Sequence, residues 1–143
     1  MMKLLYEEPL PIELSDAKSQ MASEEPALIA DALLRASLSE VDASWIEAAS
    51  LQALERPELE VRWAATLALG HLVRRYGHLD LDAVLSKIKP LGEDPKLWGR
   101  IDDLLDDIGT FLREADGTQL RKLKKAHTEH KRKLAAIKRM APS

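Results

Sequence analysis

The stretch that decides the fold is residues 58–76, ELEVRWAATLALGHLVRRY, in a chain of 143 residues. Its apolar positions cover most of the circumference of a helix, and they are Val61, Trp63, Ala64, Ala65, Leu67, Ala68, Leu69, Leu72 and Val73. A helix that is apolar almost all round is buried between neighbours. The stretch therefore predicts a central helix that other helices surround, with Gly77 as its C-cap.

Four further helices are predicted on either side of it. Periodicity and capping signals place them near residues 26–38, 45–55, 81–89 and 96–114. The second begins after Asp42 or Ser44, and the third ends before Pro90. The first carries an apolar side at Leu28, Ala32, Leu33 and Ala36, and the last carries a core line at Leu97, Ile101, Leu104, Ile108 and Phe111. With only 4% aromatic residues and no alternating β-branched runs, no strand is expected.

An internal repeat supports a stack of helical pairs. The segment ERPELEVRW at residues 55–63 aligns with EDPKLWGRI at residues 93–101, which places Arg62 over Arg100 at an offset of 38. A period near forty, with a proline-containing turn between two helices, is typical of HEAT or armadillo repeats. We therefore expect an all-α fold, a short HEAT/armadillo-like α-solenoid of about five to six antiparallel helices.

The residues also resemble a known family. Residues 57–72, PELEVRWAATLALGHL, look like the second helix of a HEAT repeat, in which an acidic or proline turn precedes Val-Arg, small residues and Leu-Gly-x-Leu. The second copy departs from that pattern, because Gly99 stands in place of Val61, and Asp103 and Asp106 stand in place of small residues.

The segments VRWAATLALGHLVRRYGHLD and DPKLWGRIDDLLDDIGTFL are similar to small bacterial HEAT-like proteins, over about residues 25–113. Some members of that group act as immunity proteins of contact-dependent or other polymorphic toxin systems. The resemblance therefore implies a helical-repeat fold and a role in binding another protein.

Charge divides the chain. The net charge of −3 combines −11 over residues 1–116 with +8 over residues 117–143. We expect an extended N-terminal arm at 1–22, with a short turn of helix near its end, and a HEAT-like domain at 23–116. Residues 117–143 are expected to form a basic C-terminal helix or tail.

An acidic cluster in the last helix of the predicted domain is the candidate binding site. If the core line faces inward, helical geometry points Asp102, Asp103 and Asp106 outward and leaves Asp107 at the flank. Like charges four residues apart repel by a few tenths of a kcal/mol. The cluster is either a docking site for a basic partner or a solvated face. Trp98 lies beside it, either as an interface anchor or packed against the preceding helix.

Several other polar or aromatic side chains have structural interpretations. Trp45 and Trp63 are expected in the core, and His71 is expected to be a satisfied core histidine. Arg62 and Arg100 occupy equivalent positions of the repeat, so each is expected to pair with an acidic residue of a neighbouring repeat.

The basic segment at residues 118–140 could form a sixth helix with a seam at Leu120, Leu123, His127, His130, Leu134 and Ile137. Three alternatives remain for this segment. In the first it caps the stack or folds across the acidic body, and in the second it stays a solvated and partly disordered helix. In the third it contacts nucleic acid or an anionic membrane. His127 and His130 have a spacing that can bind metal, but their surroundings are cationic, so no metal site is predicted.

Catalysis finds little support in the sequence. The absence of cysteine excludes disulfides, thiolate metal sites and a cysteine nucleophile, and no phosphate loop or hydrolase elbow is present. We expect no enzyme activity, no cofactor and no small-molecule substrate. The N-terminus does not read as a signal peptide, and no apolar run suits a membrane span, so a soluble cytoplasmic protein is expected.

The predicted function is that of a protein-binding module. The preferred form is an immunity protein that uses its acidic helical face to occlude the active site of a basic toxin domain. The alternative is a generic HEAT-like scaffold or adaptor without an inhibitory role. The oligomeric state is left open.

Overall fold

A computed structural model describes residues 10–39 and 41–140, with side chains as far as residue 136. All regular structure within these residues is helical, which confirms the all-α prediction. The helices are α1 (Leu14–Met21), α2 (Pro26–Ser37), α3 (Ala43–Ala53), α4 (Leu59–Tyr76), α5 (Leu81–Leu91), α6 (Trp98–Phe111) and α7 (Gly117–Met140), with a 3₁₀ turn at Pro95–Leu97 before α6. In this part of the chain, no helix combines the length and the apolar character needed to cross a bilayer.

Helix α4 lies at the centre of the fold, as its apolar pattern predicted. It packs against α2, α3 and α6, and residues on several of its sides are buried, from Val61 and Ala65 to Leu69 and Leu72. Its C-cap Gly77 has a φ of 68°, a left-handed conformation that glycine adopts without steric penalty. The predicted C-cap is therefore confirmed.

The contacts between helices define two rows. In the first row α2 lies against α4 and α4 lies against α6, whereas in the second α3 lies against α5 and α5 against α7. Helix α3 also contacts α2 and α4, and α7 also contacts α6. One continuous hydrophobic core fills the space between the rows, from Ile12 near α1 to Leu123 on α7.

The expectation of an extended arm over residues 1–22 needs correction at its C-terminal part. Residues 14–21 form α1, which packs against α2 and buries Ala17 completely. The backbone N–H of Ile12 donates to Ser39 Oγ at 3.1 Å, which fixes the chain before α1. The short turn of helix expected near residues 16–21 is thus a full α-helix, because tertiary contacts stabilise a segment with weak periodicity. Residues 1–9 lie outside the described residues.

Helix α5 also differs from the prediction, because it continues through Pro90 to Leu91. Proline lacks an N–H, so the last turn of α5 has no hydrogen bond from residue 90 to the carbonyl of Ser86. The backbone N–H of Gly92 already donates to Lys89 O in a tighter turn.

Three residues predicted to be buried are exposed. Trp63, Leu28 and Phe111 retain 43%, 44% and 40% of their accessible surface, respectively. Each lies on a helix whose inward side is correctly predicted, but the helices described here leave these three side chains partly uncovered. The other residues of the predicted core line, Leu97, Ile101, Leu104 and Ile108, are buried.

The basic C-terminal segment forms the long helix α7. It begins with a reciprocal capping box, in which the Gln119 N–H donates to Asp116 Oδ1 at 2.8 Å and the Asp116 N–H donates to Gln119 Oε1 at 3.1 Å. Leu123 and His130 are each only 5% exposed where α7 packs on α5 and α6. Of the three alternatives for this segment, the structure has the one in which it folds across the acidic body. The side chain of Ile137 lies outside the described residues.

Candidate protein-binding surface

Helix α6 carries the predicted site on the side opposite its core line. Its four aspartates differ widely in exposure: the side chains of Asp103 and Asp106 are 61% and 51% exposed, whereas those of Asp102 and Asp107 are only 15% and 19% exposed. The prediction that Asp102 points outward is therefore wrong. Helix α7 covers it.

Asp102 and Asp106 contact basic side chains of α7. Lys131 Nζ lies 3.0 Å from Asp102 Oδ2 and 4.0 Å from Asp106 Oδ2. His127 Nε2 lies 3.5 Å from Asp102 Oδ1 and 2.8 Å from Asp106 Oδ1. The hydrogen bond that Lys131 donates to Asp102 is the largest cause of a raised pKa of Lys131. The chain's own basic helix thus offsets much of the negative charge at this end of the cluster.

Three metal-type donor atoms meet at the same point, from Asp102, Asp106 and His127, and they all lie within 4.8 Å of one another. His130 does not join them, so the predicted spacing of His127 and His130 does not produce a histidine pair. Lys131 supplies one positive charge to the two carboxylates, and the buried Asp102 Oδ1 has no hydrogen-bond partner among the described residues.

Asp103 belongs to a different arrangement, on the side of α6 that faces α4. Arg100 Nη1 donates to Asp103 Oδ2 at 2.9 Å within α6. The guanidinium carbon of Arg100 lies 5.1 Å from the centre of the Trp63 ring on α4, a cation–π contact. Arg100 therefore pairs with an acid of its own helix, not with one of a neighbouring repeat as predicted. The prediction for Trp63 is also wrong, because the ring lies at the surface.

Asp107 forms the second link between α6 and α4. Arg74 Nη1 donates to Asp107 Oδ2 at 2.5 Å. Gly70 permits this approach, because a Cβ built on it would lie 2.9 Å from Asp107 Oδ2. Burial raises the pKa of the Asp107 carboxyl, and the neighbouring Arg74 opposes that shift.

His71 lies beside Arg74 on α4 and is half-buried. Its Nδ1 accepts a hydrogen bond from Arg74, which requires an unprotonated nitrogen because a guanidinium can only donate. Burial, and then the charges of Arg74, Arg100 and Arg75, lower the pKa of His71 to about 4. His71 is therefore a neutral acceptor at pH 7. The prediction placed His71 in the core, but the structure leaves it only partly buried.

Trp98 contacts other residues of this chain through both its indole N–H and its ring. Its Nε1 donates to Gly92 O at 2.8 Å, and its ring meets His130 edge to face with centroids 6.4 Å apart. The His130 Nε2 lies 2.7 Å from Trp98 O, and since a carbonyl only accepts, that nitrogen carries the proton. Trp98 therefore packs with α7, the helix that follows, and its expected role as an interface anchor stays a prediction.

The outer side of α4 and α6 thus presents an arrangement that the sequence did not reveal. We call Trp63, Arg100, Asp103, Arg74 and Asp107 the Trp63 surface. One signal in the sequence points to part of it, because Arg100 and Asp103 are three residues apart on a helix. The exposure of Trp63 has no such signal, since it depends on which neighbours cover α4.

Comparisons with known proteins assign neither a family nor a function to this chain. No family model, no curated protein and no solved structure matches this chain.

Proposed function

We propose that this protein is a protein-binding module with a HEAT-like helical arrangement, and that it binds its partner through the Trp63 surface. The row formed by α2, α4 and α6 supports the proposal, because successive second helices of HEAT repeats line a binding face in this way. The resemblance of residues 57–72 to a HEAT second helix supports it independently.

A single observation carries the proposal: Trp63 is 43% exposed, yet its ring is held in place by Arg100, which Asp103 holds in turn. Tryptophan and arginine are the residues most enriched among those that dominate binding energy at interfaces. An anchor that is already ordered loses little conformational entropy on binding. An exposed tryptophan ordered by an arginine and an aspartate therefore suits recognition of another protein.

The charges of the surface define the chemistry of the partner. Asp103 in this surface, and Asp106 three residues further along α6, are more than half exposed and offer carboxylate oxygens to donors of another protein. Arg74 is 36% exposed and offers a guanidinium beside them. We propose a partner with a predominantly basic surface that contributes at least one carboxylate opposite Arg74.

Occlusion of the active site of a basic toxin, as an immunity protein performs it, is the form of this function that the resemblance implies. The exposed carboxylates of Asp103 and Asp106 favour that form, whereas the contact of all four aspartates of α6 with basic side chains of this chain reduces the charge available for it. A scaffold or adaptor that binds without inhibition is the alternative. Protection of cells against a toxin encoded beside this gene distinguishes the two.

The experiment uses the full chain with a photo-crosslinking amino acid at position 59, in cells of the source organism. Leu59 is 39% exposed and lies one helical turn before Trp63, so the crosslinker leaves the proposed anchor in place. We expect one defined crosslinked protein, and the additional substitution Asp103→Asn should lower its yield. The matched control carries the crosslinker at position 120, where Leu120 is 51% exposed on α7. The same crosslinked protein from both positions, or no crosslink from position 59, contradicts the proposed surface.

A further inference from the structure

Three side chains that can bind a metal ion converge between α6 and α7. Asp102 and Asp106 are four residues apart on α6, so their carboxylates extend from the same side of that helix. His127 of α7 completes the group, and one donor atom from each residue lies within 4.8 Å of the other two. None of these residues belongs to the Trp63 surface, so the group is a separate feature of the molecule.

The distances between the donor atoms suit ligands of one metal ion. His127 Nε2 lies 3.5 Å from Asp102 Oδ1 and 2.8 Å from Asp106 Oδ1, and we call these three atoms the donor set. Nitrogen and oxygen donors bind Zn²⁺ at roughly 2.1 Å, so donors at two corners of a tetrahedron around the ion lie about 3.4 Å apart. The two observed distances lie on either side of this value. Modest side-chain rotations therefore bring the donor set onto one ion.

Two atoms of the donor set are buried without a hydrogen-bond partner among the described residues. They are Asp102 Oδ1 and His127 Nε2. The contact of His127 Nε2 with Asp106 Oδ1 has the distance of a hydrogen bond but not its alignment. Buried polar atoms are rarely left unpaired in folded proteins, because such an atom has lost water without gaining a partner. An ion bound by both atoms supplies that partner.

The charge of the group also favours a cation. Lys131 Nζ lies 3.0 Å from Asp102 Oδ2 and 4.0 Å from Asp106 Oδ2, so it contacts the oxygens that are outside the donor set. One ammonium offsets only one of the two carboxylates when the imidazole is neutral, which is the form of histidine that binds metals. Lys131 also holds the Asp102 carboxylate in place, as hydrogen-bonded neighbours of metal ligands commonly do.

We propose that Asp102, Asp106 and His127 bind one Zn²⁺ ion, which joins α6 to α7. The imidazole nitrogen selects zinc over Mg²⁺ and Ca²⁺, which prefer oxygen ligands alone. Three protein donors leave a coordination position to water. The Asp106 side chain is 51% exposed, which gives the ion a route from solvent. The expectation of no metal site considered His127 together with His130, whereas the structure places His127 beside two carboxylates of α6.

The test titrates the purified full chain with Zn²⁺ by isothermal calorimetry, after a chelator has stripped the chain of metal and has itself been removed. We expect saturable binding of a single ion that excess Mg²⁺ does not displace. Free zinc at about 100 times its dissociation constant should raise the melting temperature by about 5–10 °C, because the ion binds the folded chain. Absence of saturable zinc binding, or equal binding of Mg²⁺, overturns the proposal.

The ligating nitrogen can be identified by NMR. Long-range proton–nitrogen correlation spectra separate the ring nitrogens of the four histidines. We expect zinc to shift the Nε2 resonance of His127 most strongly, with little change at His71, His78 and His130. The strongest shift at another histidine would show that zinc binds elsewhere, and it would overturn the proposal.

A first pair of variants tests a carboxylate donor. Asp106→Asn removes the charge of a half-exposed side chain, so we expect the fold to stay intact and zinc binding to weaken by at least about tenfold. The control is Asp82→Asn, because Asp82 is a 58% exposed aspartate that also pairs with a lysine of α7, Lys122 at 3.2 Å, but lies outside the donor set. The control should change zinc affinity by less than about twofold. Equal effects of the two substitutions contradict the site.

A second pair tests the histidine donor. His127→Gln is expected to weaken zinc binding by at least about tenfold. The control is His78→Gln, because His78 is a 70% exposed histidine whose Nε2 lies 3.8 Å from Glu114 Oε2. It should leave zinc affinity unchanged, which excludes adventitious binding to an exposed histidine. Circular dichroism without zinc checks that each variant is folded, and unchanged zinc affinity of a folded His127→Gln protein overturns the proposal. If His127→Gln is not folded, Asp106→Asn decides the test.

Discussion

The carboxylate of Asp102 on α6 lies 3.0 Å from the ammonium of Lys131 on α7, across 29 residues of sequence. This contact joins the acidic body of the chain to its basic C-terminal helix. The Asp102 side chain is 15% exposed and the Lys131 side chain is 53% exposed, so the pair lies at the edge of the interface between the two helices. Part of the charge asymmetry of the sequence therefore corresponds to ion pairing between α6 and α7 within the molecule.

Reversing this charge should loosen α7. Lys131→Glu places a carboxylate next to Asp102 and Asp106, and we expect a lower melting temperature, with a smaller loss in high salt because ions screen the repulsion. The matched control is Lys124→Glu, an exposed position on α7 without an ion pair among the described residues. Equal melting temperatures for the two variants would show that Asp102 and Lys131 do not stabilise the docked helix.

The apolar part of the α7 interface can be tested with two leucines of different exposure. Leu123 is 5% exposed and Leu120 is 51% exposed on the same helix. Leu123→Ala should lower the free energy of unfolding by about 2–3 kcal/mol, because the truncation leaves a cavity. Leu120→Ala should change it by no more than about 0.5 kcal/mol. Urea denaturation of both variants measures the difference, and a small effect at Leu123 would contradict the docking of α7.

Local features of the fold could be predicted because they depend on the geometry of one helix at a time. The all-round apolar pattern of α4, the left-handed C-cap Gly77 and the core line from Leu97 to Ile108 follow from residue spacing alone. The same holds for Asp42, whose side chain accepts hydrogen bonds from the backbone of Ser44 and Trp45 at the start of α3.

The candidate site could be predicted less well, because exposure depends on which distant helix covers a surface. Asp102 and Asp106 follow the same pattern in the sequence, yet α7 covers the first and leaves half of the second exposed. Trp63 is followed by Ala64 and Ala65 in the sequence, yet its ring stays 43% exposed among the helices that the structure describes. Neither outcome is encoded in the spacing of the residues on α4 or α6.

Two glycines should respond oppositely to substitution by alanine. Gly77→Ala places a Cβ at a φ of 68° and within 2.6 Å of the Arg113 side chain, so we expect a loss of about 1–2 kcal/mol of unfolding free energy. A Cβ at Gly99 meets no atom within 4 Å, so Gly99→Ala should stabilise α6 by about 0.5–1 kcal/mol. Thermal and urea denaturation test both values, and a neutral Gly77→Ala would contradict the strained C-cap.

His71 should make stability depend on pH. Its pKa in the folded chain is lowered to about 4 from an ordinary value of 6.5 by burial and by Arg74. Between these values the unfolded chain binds more protons at this position, so its contribution to stability is present above pH 6.5 and is lost as the pH falls towards 4. His71→Gln should flatten this part of the profile of unfolding free energy against pH.

The control for that profile is His78→Gln, because the His78 side chain is 70% exposed. We expect its profile to parallel that of the unsubstituted chain between pH 6.5 and 4. A His71→Gln profile with the same slope as the unsubstituted chain would show that His71 is not held neutral by its surroundings.

Binding through Trp63 is tested by the dissociation constant of the protein that crosslinks from position 59, measured by surface plasmon resonance with Trp63→Ala. We expect a weakening of at least about thirtyfold, the effect of losing a dominant interface residue. Asp103→Asn, at a 61% exposed side chain, should weaken binding by a smaller factor, and Leu120→Ala should leave it unchanged. An unchanged dissociation constant for a folded Trp63→Ala protein would contradict binding through the Trp63 surface.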